Sequence, residues 1–383
     1  MKEKIIQITK YALFIGIVLM LCVPALQQYF KFREERPLNG AITEPQFTPF
    51  SWDGWHSGDF QKTNAAYLNT KFGFRSEFIR LNNERHYWLF NRAKANEVVV
   101  GKESYLYEEN YIKAAGGIDF IGENAIEEKS EKLKFIQERL KEKGTDLYVL
   151  FAPGKGSYCN EYIPEKWKNQ FNKQNRTNYK SYRKAFDRKG INYIDFNAWF
   201  LEMKATTPYP LFGKAGIHWS KYGEFLAADS LLQKIGEIRN APMPDLVLDQ
   251  ITKEEKNRSG DYDIGEGMNL LFELPTFPMG YPQFHWDWDT SQKQQIVTFI
   301  ADSYFWGMFN YGFSRDLFGD GEFWYYNKLI YPDSYITPLE VSTVNIKEKA
   351  EENDVIILLS TDANLYKFAF GFIEELYKAY LDE

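Results

Sequence analysis

Cysteine and histidine are scarce in this chain. There are two cysteines, Cys22 and Cys159, and four histidines, His56, His86, His218 and His285. Two cysteines make neither a disulfide framework nor a thiolate metal cluster. Cys22 also lies inside an apolar run, which separates it from Cys159 as a disulfide partner. Few cysteines do not exclude the periplasm, where disulfide-free proteins are common. A basic excess is missing as well: 46 Lys and Arg stand against 53 Asp and Glu, a net charge of −7. With no basic stripe, nucleic acid is excluded as a partner. There is no P-loop, no dinucleotide fingerprint and no H-E-x-x-H, so neither a cofactor nor a metal is expected. Internal repeats and low-complexity tracts are absent too.

What is present begins with an apolar run, Ile5 to Leu26, broken only by the charge of Lys10. A membrane crossing needs about 20 such residues. Lys2, Lys4 and Lys10 suit an amino terminus inside, although Lys31, Arg33 and Arg36 make the far flank basic too. A cleaved signal peptide is the competing reading, but CVPALQQYF lacks a small-x-small site. Leu21 stands where a lipoprotein site at Cys22 would need a small residue. The expected organisation is an uncleaved anchor over 1–30, a linker over 31–60 marked by Pro37, Gly40, Pro45, Pro49 and Gly54, and one α/β domain over 61–383. The anchor places that domain outside the cytoplasm, in the periplasm of a bacterium with a single-pass inner-membrane helix.

The 383-residue chain is 44% hydrophobic and 26% charged, as folded domains are. Aromatics reach a high 17%; a buried core explains most of them, and exposed rings also suit stacking on sugars. A helix over 64–90 with a turn at 72–75 leads to a hairpin over 98–107. Then strands and helices alternate. Asp146–Ala152, Ile191–Phe196, Gln294–Ile300 and Asp354–Leu359 read as strands. Glu127–Lys143, Asn178–Lys189, Ser220–Ile238 and about 364–380 read as helices. Strands apolar throughout, alternating with helices, predict a mainly parallel sheet covered on both faces. Sites in such sheets form at the carboxyl ends of the strands.

The stretch QQIVTFIADSYFWGMFNYGF (294–313) runs from such a strand into a helix-like segment, with Ser303 at the turn. A turn there exposes a hydroxyl to act as a nucleophile, and the helix start offers N–H groups to an oxyanion. The alternative is that Ser303 merely caps the helix. His218, in LFGKAGIHWSKYG, sits in a loop before a helix that Ser220 can cap. It is the histidine placed to serve as a general base. His285, in PQFHWDWD, reads as part of a packed aromatic loop rather than a metal ligand beside Asp287 and Asp289. His56 and His86 read as structural.

The ordered motifs GKESYLY (101–107), APGKGSYCNEYIP (152–164), GIHWSKYG (216–223), FIADSYF (299–305) and FWYYN (323–327) resemble the SGNH-hydrolase-like domain of the alginate O-acetyltransferase family, nearest its membrane-anchored DHHW-type bacterial members. FGFR at 72–75 fits that family's amino-terminal region. The resemblance implies a three-layer α/β sandwich with histidine before serine in the chain. It implies O-acetyl transfer to, or removal from, an extracytoplasmic polysaccharide, with a membrane-bound O-acyltransferase as a source of the acetyl group. Carried over by position, Ser303 is the nucleophile, His218 its base, and Asp302 the aspartate of a Gly-Asp-Ser motif that here reads Ala-Asp-Ser.

One departure bears on the chemistry. The family's Asp-x-His-Trp reads Gly216-Ile217-His218-Trp219 here, so the aspartate that orients the histidine is missing. Losing such a group costs up to about four decades in rate in serine hydrolases. Asp261, Asp263 and Glu266, in GDYDIGEGMNLL, are the candidates to replace it. An oxyanion hole is expected from the backbone N–H of Ser303 or Tyr304 with a side-chain donor from Tyr326 or Asn327. Lys155 and Tyr158 follow a strand end and either contact sugar or support the loop. Three functions stay open: polysaccharide O-acetyltransferase, carbohydrate acetyl esterase, and a catalytically impaired glycan-binding scaffold.

Overall fold

The aliphatic runs are sheet interior. A computed structural model describes residues 2–40, 45–289, 292–314, 316–319, 321–331 and 337–382. Its strands in chain order are β1 (Val98–Val100), β2 (Leu106–Glu108), β3 (Asp146–Ala152), β4 (Tyr193–Asp195), β5 (Asp245–Glu254), β6 (Met279–Asp287), β7 (Val297–Ala301), β8 (Phe323–Tyr325), β9 (Leu329–Tyr331), β10 (Leu339–Glu340) and β11 (Val355–Thr361). Seven of them make the central sheet, in the order β10-β9-β8-β7-β11-β3-β4. β8, β7, β11, β3 and β4 run parallel, and β9 and β10 close one edge antiparallel. The expected α/β fold, a mainly parallel sheet flanked by helices, is therefore present.

β11 lies between β7 and β3, with Leu358 paired to both Ile300 and Val149. Every residue of β11 is buried. Side chains alternate along a strand. Ile356 and Leu358 join Leu133, Ile136 and Leu140 of helix Glu123–Glu142 and Ile373 and Leu376 of helix Phe372–Leu381 in one core. Val355, Ile357 and Leu359 are buried on the other face. Local signals set the helix ends. Thr177 accepts from the Lys180 N–H at 3.2 Å to start helix Asn178–Lys189, and Gly190, at φ 63°, stops it. Ser220 accepts from the Gly223 N–H at 3.0 Å to start helix Lys221–Arg239.

Three expectations change. His285 lies in β6, which pairs antiparallel with β5, and not in a loop. The alternation Phe284, Trp286 against His285, Asp287 has the period of a half-exposed strand, and His285 meets Asp249 across the ladder at 2.9 Å. The helix expected over 364–380 begins only at Phe372, because Ala369 and Phe370 turn left-handed at φ 57° and 55°. Short strand β8 arises where the sequence showed only the aromatic motif FWYYN, and β9 and β10 follow where no strand was expected.

Two compact units emerge: Met1–Asn96 with Gly265–Glu273, and Glu97–Ile264 with Leu274–Glu383. The first contains helix Lys2–Phe30, whose Lys4–Phe30 portion is long and apolar enough to cross a membrane. Helices Trp52–Ser57, Asp59–Thr70 and Arg75–Phe90 follow. Gly73 lies so close to Pro24 and Gln28 that a side chain there would collide with the helix backbone. Glu35 accepts from the Phe74 N–H at 2.7 Å and the Ser76 hydroxyl at 3.0 Å.

Leu358→Ala empties space at the middle of the sheet. It is expected to lower stability by about 2–5 kcal/mol, read as a lower denaturant midpoint with an unchanged slope.

Candidate active site

Ser303 stands two residues past the end of β7, and helix Phe305–Asn310 begins two residues later. What fixes this turn is Asp302, which is fully buried. Its Oδ2 accepts from the Thr361 N–H and hydroxyl, both at 2.9 Å, and from Asn364 Nδ2 at 2.8 Å. Its Oδ1 accepts from the Tyr304 N–H at 3.1 Å. A buried carboxylate is tolerable only when its lone pairs are met in this way. The carboxylate ties the end of β7 to the end of β11, and the hydroxyl of Ser303 is left facing outward.

That hydroxyl does not cap the helix. It meets His218 Nε2 at 3.1 Å, and His218 Nδ1 meets Asp263 Oδ2 at 2.8 Å. Asp263 is itself held, its Oδ1 accepting from the N–H groups of Ile217 and Ile264, each at 2.8 Å. It lies just past Tyr262, whose φ of −136° interrupts the helical segment there. The three side chains form one relay, Ser303–His218–Asp263. With Asp263 accepting at Nδ1–H, Nε2 is the free acceptor for the serine proton.

Gly216 explains the absent aspartate sterically. A Cβ at this position would lie 2.8 Å from the carbonyl carbon and oxygen of Asp261. The acidic segment has moved against the loop, and its own carboxylate reaches the ring from the other chain segment. Asp261 is not the partner: it is buried, and burial raises its carboxyl to about 6. Glu266 falls in the other compact unit, where its carbonyl accepts from Asn39 Nδ2 at 3.1 Å.

Burial pushes the His218 ring down, but the Asp263 hydrogen bond and the charges of Asp263, Asp302 and Glu224 outweigh it. Its pKa lies above the ordinary histidine value. Glu108, at the end of β2, is near enough to feel both Asp263 and His218, and burial followed by the Asp263 charge raises its carboxyl.

Other expected residues take different places. Asp302 touches the supports named above and no ring nitrogen of His218, so it positions Ser303 rather than orienting the base. The Tyr304 N–H is spent on Asp302 and its hydroxyl donates to the Ile217 carbonyl at 2.7 Å, so neither is left for an oxyanion. Tyr326 reaches Ser303 with its hydroxyl, and burial raises its pKa, keeping it a donor. Asn327 Nδ2 instead donates to Glu375 at 3.2 Å. Lys155 has no exposed surface. It donates to the carbonyls of Lys214 at 2.9 Å and Gly216 at 2.6 Å, below the rings of Tyr105 and Tyr107. It thus supports the histidine loop, and burial lowers its pKa to about 8. Tyr158 is buried against Phe212 with Lys204 over its ring.

Thr361 and Asn364 had no place in the sequence reading. The available signal was STDAN (360–364), a polar cluster directly after an apolar strand. A cleft of about 180 Å³ opens at Ser303, lined by His218, Trp219, Lys221, Trp306 and Asn310 among others. Glu224 is buried in its wall, accepting from Lys221 at 2.7 Å and the Tyr311 hydroxyl at 3.0 Å.

No curated protein sequence matches the chain. Several solved structures are similar to it, three of them as follows. The O-acetyltransferase domain of Pseudomonas putida AlgJ is 15% identical with a TM-score of 0.48, over 73% of this chain and 98% of that one. Pseudomonas aeruginosa AlgX is 16% identical with a TM-score of 0.44, over 73% and 67%. Bacillus cereus PatB1, with a sulfonyl adduct, is 12% identical with a TM-score of 0.41, over 66% and 93%. The family model described as the SGNH hydrolase-like domain of the acetyltransferase AlgX matches residues 98–263, a span that holds His218 and ends on Asp263, and over that span it bears out the family resemblance carried by the motifs.

Proposed function

We propose that this protein is a membrane-anchored, extracytoplasmic O-acetyltransferase that modifies a cell-surface or secreted polysaccharide through a serine acetyl-enzyme. The observation that carries the reading is the relay of 3.1 Å and 2.8 Å through Ser303, His218 and Asp263. His218 Nε2 takes the Ser303 proton as the oxygen bonds to the acetyl carbonyl carbon. The resulting imidazolium is stabilised by Asp263. The Tyr326 hydroxyl, beside Ser303, is the donor best placed for the oxyanion. His218 then returns its proton to the departing donor group, leaving acetyl on Ser303. In the second half an acceptor hydroxyl gives its proton to His218 and attacks the ester, the bond from the acetyl carbon to Ser303 Oγ breaks, and His218 returns the proton to Ser303.

The cleft volume of about 180 Å³ suits a small acyl group. Helix Lys2–Phe30 supports the anchor and a location at the bacterial inner membrane, with the larger unit in the periplasm. A membrane-bound O-acyltransferase is the proposed source of the acetyl group. An oriented, hydrogen-bonded base counts against an impaired scaffold. An esterase would use the same three residues and differ only in giving the acetyl group to water.

Three outcomes test the reading. First, the wild type incubated with a chromogenic acetyl ester and an oligosaccharide is expected to yield acetylated sugar, and Ser303→Ala to yield none above background. Transfer surviving in that variant would overturn the mechanism, and acceptor-independent hydrolysis would favour the esterase. Second, Asp263→Asn is expected to reduce kcat by about 10⁴-fold. Because Asp263 raises the His218 pKa, the acidic limb of kcat/KM should lie above pH 6.5 in the wild type and move lower in the variant. Third, Gly216→Asp writes the usual family pattern back into the chain. It is expected to lose activity, since its Cβ meets the Asp261 backbone at 2.8 Å, and faster turnover by this variant would show that the loop is free to move.

A further inference from the structure

A second depression lies on the sheet edge past Ser303. It is a groove of about 1180 Å³ between the turn after β8 and the segment before helix Phe372–Leu381. Tyr326 joins it to the reaction centre, because its hydroxyl meets Ser303 while its ring forms the groove wall. Phe370 packs edge-on against Tyr326 with ring centroids 4.9 Å apart, and the Lys367 ammonium lies 4.9 Å over the same Tyr326 ring, so the three make one continuous side of the groove. Both aromatic residues are held in a conformation side chains rarely adopt. Tyr326 and Asn327 have φ of 51° and 50°, and Ala369 and Phe370 have 57° and 55°. Paired left-handed residues without glycine are strain that concentrates at binding and catalytic surfaces.

Asn327 adds an independent sign of a ligand. It is 7% exposed and lines the groove, and among the described residues its Oδ1 has no hydrogen-bonding partner. A buried acceptor left open is costly unless something donates to it. A hydroxyl-rich molecule would supply that donor. The charges narrow the class further. The described lining carries two cations, Lys328 and Lys367, and two anions, Glu340 and Glu375, which cancel. A polymer with a carboxylate on every sugar would need a net-positive channel to be drawn in and held.

We infer that this groove binds the acceptor chain, and that the acceptor is a neutral, hydroxyl-rich polysaccharide rather than a polyuronate, with its rings against Tyr326 and Phe370 and a hydroxyl donating to Asn327. The inference rests on the acetyl-transfer reading for its purpose, but the binding it describes does not need Ser303.

The test uses the full chain in phosphatidylcholine nanodiscs and titration calorimetry. The neutral probes are cellohexaose, xylohexaose, mannohexaose and chitohexaose, and the charged probe is a mannuronate hexamer. At least one neutral hexamer should bind saturably, at least tenfold tighter than the mannuronate. Asn327→Gly and Phe370→Gly, which relax rather than strain their left-handed backbones, should each weaken it about tenfold. Glu340→Lys is an exposed change that makes the groove net positive. It should raise mannuronate affinity severalfold relative to the neutral probe, which keeps the test open if either glycine variant melts early. Tighter binding of mannuronate by the wild type, no binding of any neutral probe, or indifference of the neutral affinity to both glycine variants would overturn the inference. Ser303→Ala separates the two readings. Neutral binding without Ser303-dependent acetyl chemistry leaves the groove and removes the transferase, and the converse leaves the transferase and removes the groove.

Discussion

The site depends on a carboxylate with no exposed surface. Asp302 is fully buried and accepts from Thr361, Asn364 and the backbone of Tyr304. An unmet carboxylate there would cost several kcal/mol, so the ends of β7 and β11 must stay in register for the fold to hold. That register places Ser303 at the rim and turns its hydroxyl from the helix toward His218. The same demand that stabilises the sheet edge therefore presents the proposed nucleophile.

The base is held by a second carboxylate from elsewhere in the chain. Asp263 spends one oxygen on two backbone N–H groups, Ile217 and Ile264, and the other on His218. Its position is thus tied to the loop it serves. Lys155 grips the same loop from beneath through the carbonyls of Lys214 and Gly216. Gly216 leaves room for the Asp261 backbone, which brings Asp263 within reach. Two features that look like defects in sequence, a missing aspartate and an added glycine, are one steric arrangement.

The sheet was legible because its strands are short apolar runs separated by helices with clear caps, such as Thr177 with Gly190. Ser303 and His218 were legible because a parallel sheet gathers strand ends and the loops beside them. Asp263 was legible only as one of three acidic residues, since a loop contact 45 residues away in sequence has no periodicity to betray it. The half-exposed strand β6 hid behind aromatic density that reads equally as a packed loop. The broken helix at Ala369 and Phe370 hid because neither residue type announces a left-handed backbone. Asp302 was placed in the right motif, but its hydrogen bonds to Thr361 and Asn364 could be seen only once β7 and β11 were adjacent.

Charge explains why the arrangement favours proton transfer from a hydroxyl. His218 feels Asp263, Asp302 and Glu224, and Glu108 lies close enough to be perturbed by the same pair. Lys155, the nearest buried cation, is turned toward loop carbonyls rather than toward the ring. An imidazolium formed beside these carboxylates is therefore stabilised, while burial alone would disfavour it. On the acetyl-transfer mechanism proposed above, that stabilisation arises only after a proton has moved to Nε2, which is the stage at which it would lower a barrier instead of tightening a ground state. On that proposal, the charge around His218 suits it to deprotonate two successive hydroxyls, first that of Ser303 and then that of an acceptor.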